Sequence, residues 1–453
     1  MAGIIGIYQG NQISLIEKLL PDIAHRGKSG KTLFHNEYCS LGIIWTDAQA
    51  PPFHSEENKT IYEDQGGDGR LVKIILSKGN VILSRDFLGI APLYYGWKDN
   101  EFLMFSSEVK PLLKIVPEIN ELLPGHVLNG KELVYQTRLP QQSVLNDNPN
   151  QIAHKLYKIL SEVVQKCISI QEIGSLLSGG LDSSAISAIA RQHIKTLHTF
   201  AAGINSAPDL LYAREVAEFI GSVHHEIVVT QQDLVTILPE VIYHLESFDP
   251  LLVRSSVTNY LVACLAAEYV PVVFSGEGGD ELFAGYEYLK LVPPENLAEE
   301  LKDITLCLHN TALQRVDRCA SAFGMIAYIP FLHPDVVSFA FSIPPQYKIK
   351  NQEEKWVLRC ALENELPSRV VHRRKAKFWE GAGVNKILAI YADEEISASE
   401  FEKERILPNG WKLHSREEYL YYKIFKDCFG EMNNLDWMGR TKIYSEKTGI
   451  SEK

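Results

Sequence analysis

Two stretches of this chain share one design. "IGSLLSGGLDSSAISAIARQ" (173–192) and "VPVVFSGEGGDELFAGY" (270–286) each run from an apolar strand through Ser-Gly into a helix. A buried strand followed by a glycine turn and a helix is the unit of a parallel sheet with helices on both faces. The carboxyl ends of such strands lie along one edge, so both turns are expected side by side there. The intervening sequence fits the same plan. "LHTFAAG" and "HHEIVV" read as strands, and "PDLLYAREVAEFIG" and "QDLVTILPEVIYHLE" as one helix each.

The residues in the two turns carry chemistry. Gly179 and Gly180 let backbone amides approach a ligand with no Cβ in the way. A helix N-terminus beyond them favours an oxyanion, and Ser178, Ser183 and Ser184 add hydroxyls. Asp182 would repel phosphate unless Mg²⁺ lay between them. Ser275 and Gly276 repeat the turn and deliver Glu277, Asp280 and Glu281, so Asp182 and Asp280 are the expected Mg²⁺ pair on a bound triphosphate. The lysine of the G-x-x-x-x-G-K-[ST] loop is missing. S-G-G-x-D-S instead resembles the PP-loop pyrophosphatases, which split ATP between the α and β phosphates.

The rest of the chain bounds the function. Residues 1–136 are β-rich, with short apolar runs such as "GIIGIY" and "LVKIILS" set between Gly, Asn and Asp. The stretch 137–150 reads as a linker, and 151–453 as an ATP-binding unit that is mostly helical after residue 285. A net charge of −12 argues against a broad nucleic-acid-binding face. The most apolar run, 258–274, holds Glu268 and Pro271 and reads as a helix entering a strand, so no membrane partner is expected. Seven scattered cysteines without a C-x-x-C, and no secretory pattern at the N-terminus, lead to an expectation of reduced thiols and a cytoplasmic location.

These motifs sit among others that together resemble the asparagine synthetases. They include "AHRG" (24–27), "VILSRDFLGIAPLYYG" (81–96), "FSSEVKPLL" (105–113), "FSGEGGDELFAGYEY" (274–288), "EKWVLRCAL" (354–362) and "RRKAKFWEGAG" (373–383), in the order and spacing of that family. The fold so implied is α/β: an Ntn-type αββα amidotransferase unit joined to a PP-loop parallel-sheet synthetase unit. The resemblance implies that a carboxylate attacks the α-phosphate of ATP, and that a nitrogen nucleophile then displaces AMP. Arg254 and Lys375 would neutralise charge around the α-phosphate, and Glu277 would orient or deprotonate the amine. A homodimer is a further expectation from the family.

Glutamine-dependent members expose a cysteine after Met1 as nucleophile, whereas this chain has Ala2, and a methyl group cannot attack. The family's N-G-E stretch, which holds glutamine, also has no counterpart, because "IYEDQGGDGRLVKIILS" leads almost directly into "VILSRDFLGI". The N-terminal unit is therefore expected to be a shortened amidotransferase without glutaminase activity. Acceptor-side positions differ too: Leu251 and Leu252 replace threonines, and Ile326, Tyr328 and His333 replace Glu, Arg and Asp of the family pattern. The expectation is an AMP-forming amide ligase using a carboxylate and either ammonia or a substrate amine. An ammonia-dependent asparagine synthetase is the alternative, and ring closure of the β-lactam synthetase or lasso-cyclase type a less favoured one.

Overall fold

The computed structural model describes residues 3–46, 52–56, 58–99, 102–136, 143–168, 170, 172–375, 386–441, 443–444 and 451–452. Ala2, part of the expected linker (137–142) and residues 376–383 of the last family motif lie outside them.

Residues 3–135 form two antiparallel six-stranded sheets. Strict alternation builds one of them: in Lys59–Gln65 and Leu71–Ser77, buried Tyr62, Val72, Ile74 and Leu76 alternate with half-exposed Ile61, Lys73 and Ile75. The buried set meets Ile4, Leu41, Ile43 and Phe105 of the other sheet in one apolar layer. The opposite face of that other sheet, with Ile5, Ile7, Ile44 and Met104, joins the helix Ile13–Leu19 and the core of the C-terminal part.

Helix α1 (Pro149–Cys167) opens the C-terminal part, with Asn148 and Gln151 closing a capping box around Pro149. Strands β1 (Ile173–Leu176), β2 (His198–Gly203), β3 (Val223–Val228), β4 (Val272–Phe274) and β5 (Ile326–Tyr328) form one sheet in the order β3-β2-β1-β4-β5. Every pairing in it is parallel. Helix α2 (Leu181–His193) follows β1, α3 (Pro208–Ile220) follows β2, and α4 (Pro250–Ala266) precedes β4. The order reverses between β1 and β4, which makes their carboxyl ends the switch point where ligands of such sheets bind. The α/β class and the parallel-sheet architecture expected from the sequence are thus present.

One local expectation is corrected. "QDLVTILPEVIYHLE" is two helices, Gln231–Thr236 and Leu238–Leu245. Pro239 has no N–H and crowds the preceding turn, so the ladder breaks and restarts with proline in the first turn. Near the end of the chain, Ile443–Tyr444 pairs antiparallel with Ser451–Glu452. No helix among the described residues is long and apolar enough to cross a membrane.

Candidate active site

The turn after β1 closes on itself through serine. Ser183 Oγ donates to the Gly180 carbonyl (3.2 Å) and accepts from Ser178 N–H (3.2 Å), with Ser178 Oγ at 3.1 Å. Gly179 has φ +68°, and a Cβ on it would lie 2.5 Å from the Ala213 nitrogen of α3. Gly180 caps α2 with no side-chain hydrogen bond, which leaves the first-turn amides for a ligand. Ser184, one residue beyond Ser183, is fully buried and its hydroxyl has no protein partner among the described residues.

The turn after β4 packs against the first one backbone to backbone. Ser275 N–H donates to the Tyr328 carbonyl of β5 (2.9 Å), which fixes where the chain leaves the sheet. A Cβ on Gly276 would come within 2.6 Å of Ser183 N, and one on Gly279 within 2.5 Å of Asp182 Oδ1. A Cβ on Gly285 would lie 2.0 Å from Asp280 Oδ1. The glycines of this turn are therefore the space in which Asp182 and Asp280 meet. Helix α5 (Gly279–Phe283), entered from Gly278 at φ +91°, carries Asp280 and Glu281.

Two lysines complete the centre. Lys355 bonds Asp182 Oδ2 and reaches Asp280 Oδ1 at 2.6 Å, while Lys375 Nζ lies 2.5 Å from Asp280 Oδ2. Burial alone would raise the Asp280 pKa, but the Lys355 and Lys375 charges overcome it and hold the group well below the usual carboxylate range. Burial wins at Asp182, with help from the Asp280 charge, and shifts that carboxyl upward against the pull of Lys355. Lys375 would lose affinity for its proton through burial, yet Asp280 and Asp182 raise its pKa, so it stays a fixed cation at neutral pH. Among the described residues, Asp182 Oδ1 is buried without a hydrogen-bond partner. An orphaned carboxylate oxygen beside a second carboxylate fits Mg²⁺, which takes one or two protein carboxylates and completes its shell with phosphate and water.

Further groups flank this centre. The Arg373 guanidinium pairs with Asp209 (2.5 Å), donates to the Ser178 carbonyl (3.4 Å) and stacks 4.1 Å above the Tyr212 ring. Glu277 accepts from Arg315 (2.5 Å), whose other arm bonds Ser255 (3.0 Å). Arg315 lies on α6 (Ala312–Ser321) and so orients the Glu277 carboxylate from across the site. Glu281 accepts from Tyr286 OH, and burial, with the Asp280 charge, pushes it up to about 7. The expected residues of both turns, Glu277 and Lys375 are thus brought together. Arg254 pairs with Glu417, which also accepts from Tyr421 at 2.8 Å.

Sequence reasoning missed Lys355, Arg373 and Arg315. Lys355 has φ +56° immediately before α7 (Trp356–Leu362) and is 2 % exposed, and no local pattern announces either property. The signal that existed was its place inside "EKWVLRCAL". The altered acceptor-side positions fall largely into packing. Leu252, Ile326 and Tyr328 are buried, the Arg70 guanidinium covers the Tyr328 ring at 4.9 Å, and His333 Nδ1 accepts from Asp335 N–H at a helix start. Leu251 is half-buried.

Comparison with known proteins agrees with this geometry. The asparagine synthase family model matches residues 155–302 and 295–444, and a glutamine amidotransferase domain model matches residues 66–114. A probable glutamine-hydrolysing asparagine synthetase of Dictyostelium discoideum is 30% identical over 94% of this chain and 84% of its own length. Asparagine synthetase B of Escherichia coli (strain K12) is 34% identical over 78% of this chain and 68% of its own. A strand order that brings two Ser-Gly turns, two aspartates and two lysines to one sheet edge, with the family model matched around it, has one consequence: the chain belongs to the asparagine synthase family of ATP-using carbon–nitrogen ligases.

Proposed function

We propose that this protein adenylates a small carboxylate with ATP, releases pyrophosphate, and transfers the acyl group to ammonia or a substrate amine, without hydrolysing glutamine. The observation that carries the reading is the pair Asp182 and Asp280 at the switch point, met by Lys355 and Lys375. Amides of the first turn and the Ser178 and Ser183 hydroxyls would hold the departing pyrophosphate. Asp182 and Asp280 would hold Mg²⁺, which when bound neutralises the triphosphate as negative charge shifts onto its β oxygens.

The carboxylate oxygen forms a bond to the α-phosphorus as the bond to the β-phosphate bridge breaks. Lys375, kept protonated by two aspartates, is the cation available for charge growing there. The nitrogen then bonds the acyl carbon, loses a proton, and AMP leaves. Glu277, fixed by Arg315, stands ready to align the incoming ammonium or amine. Its presence favours ammonia or a small amine over ring closure. The absent glutaminase step rests on Ala2 and the missing N-G-E stretch.

The test is pyrophosphate release from MgATP across a panel of carboxylates, each with ammonium, with glutamine, and with neither. Ammonium should support amide formation and glutamine should not. Lys375→Ala should lower the rate by about a hundredfold or more, the scale of losing one preorganised charge contact. Asparagine formed from aspartate and ammonium would identify the acceptor as aspartate. Glutamine-supported turnover would overturn the loss of glutaminase.

A further inference from the structure

Residues 373–375 carry two cations of the site, yet belong to no helix or strand. A segment without a backbone ladder must be held in place by other bonds. Those bonds converge on Arg359, which is 4 % exposed and lies one turn after Lys355 on α7. Its Nε donates to the Glu354 carbonyl (2.7 Å) and its Nη2 to Glu354 Oε1 (2.7 Å). Its Nη1 serves both the Val371 carbonyl and the Arg373 carbonyl, the latter at 3.1 Å. Glu354 Oε1 also accepts from Lys375 N–H (3.3 Å), and its Oε2 is steadied by Lys290 Nζ at 3.0 Å.

We infer that Arg359, with Glu354, is a positioning residue that sets the reach of Lys375 and Arg373 into the active site. Among the described residues, Arg359 makes no hydrogen bond to either turn. It acts through the Val371 and Arg373 carbonyls directly and through the Lys375 N–H by way of Glu354; Arg373 ends on Asp209 and the Ser178 carbonyl, and Lys375 on Asp280. The planar fork of arginine spans such acceptors at once, whereas the single point charge of lysine does not. Lys355 immediately precedes the same helix, so the start of α7 and Arg359 within it set both cations that face Asp280. This role rests on the proposed function of Lys375.

The test is a double-mutant cycle on the full chain, read as pyrophosphate release at saturating and limiting MgATP. Arg359→Lys should lower kcat about tenfold or more, since a misplacement of about 1 Å is costly in rate. The melting temperature should stay within a few degrees. In a Lys375→Ala background the same change should cost at least about threefold less than in the wild type, because one of the two groups it positions is gone. A merely structural arginine would give losses that multiply, or a smaller active fraction with normal kcat, and either result overturns the inference while leaving the role of Lys375 intact. A wild-type rate in Lys375→Ala would overturn both. Should Arg359→Lys fail to fold, isosteric Glu354→Gln provides the second reporter, with the same direction expected and the same cycle deciding.

Discussion

A single methyl group at residue 276 would force the two turns apart. Its Cβ would lie 2.6 Å from Ser183 N and 2.8 Å from the Asp182 carbonyl carbon, and both are backbone atoms that cannot swing away. Overpacking of this kind costs about 1–3 kcal/mol and is relieved by moving a loop. Gly276→Ala should therefore raise the KM for MgATP about tenfold or more while most of the melting temperature is kept. Steady-state kinetics beside a thermal melt checks this, and unchanged nucleotide affinity would mean that the turns need not touch. Legibility at this scale follows covalent spacing. Asp182 and Asp280 were readable because each sits at a fixed offset from a glycine turn. Lys355 was not, since its ammonium reaches Asp182 from 173 residues away.

At the scale of elements, the turn Pro345–Tyr347 leads into Lys348, one of the few buried lysines outside the active site. Its ammonium lies 5.6 Å from the centre of the Phe341 ring, and burial lowers its pKa to about 7. The sign follows from linkage. The unfolded lysine holds its proton up to about pH 10.4, whereas the folded one gives it up above about 7. Stability is therefore fully present above the unfolded pKa and falls as pH drops towards the folded one. Lys348→Met should raise the melting temperature at pH 7, and the gain should shrink as pH approaches 10. Melts of both proteins across that range test it, and a constant difference would contradict it. Strands and helices themselves were largely legible, because "IGSLLS" and "VPVVFSG" carry their own periodicity and turns. The break at Ile237 was lost because the apolar spacing continues across Pro239.

For the whole molecule, buried charges within the family motifs join the N-terminal sheets to the C-terminal part. Arg26 of "AHRG" bonds Glu108 of "FSSEVKPLL" (2.7 Å) and Asp317 of α6 (2.8 Å). Arg318 bonds Glu108 (3.1 Å) and Glu246 (3.0 Å), and Glu246 accepts from Val109 N–H and Lys110 N–H. All of these side chains are buried. Removing one charge from such a network strands its partners, so Glu246→Gln should cost about 3–5 kcal/mol. Urea unfolding should show that loss, and a change below about 1 kcal/mol would mean the contact is not held by these charges. The sequence by itself determined the parallel-sheet class, the two phosphate-type turns, and the family, because each is written in residues near one another along the chain. Only the tertiary structure decided which cations face Asp182 and Asp280, that Arg254 is taken up by Glu417, and that Ile326 and Tyr328 pack into the core. Those outcomes depend on which distant side chain wins a shared counter-charge or a shared apolar space, and that competition is settled only when the whole chain has packed.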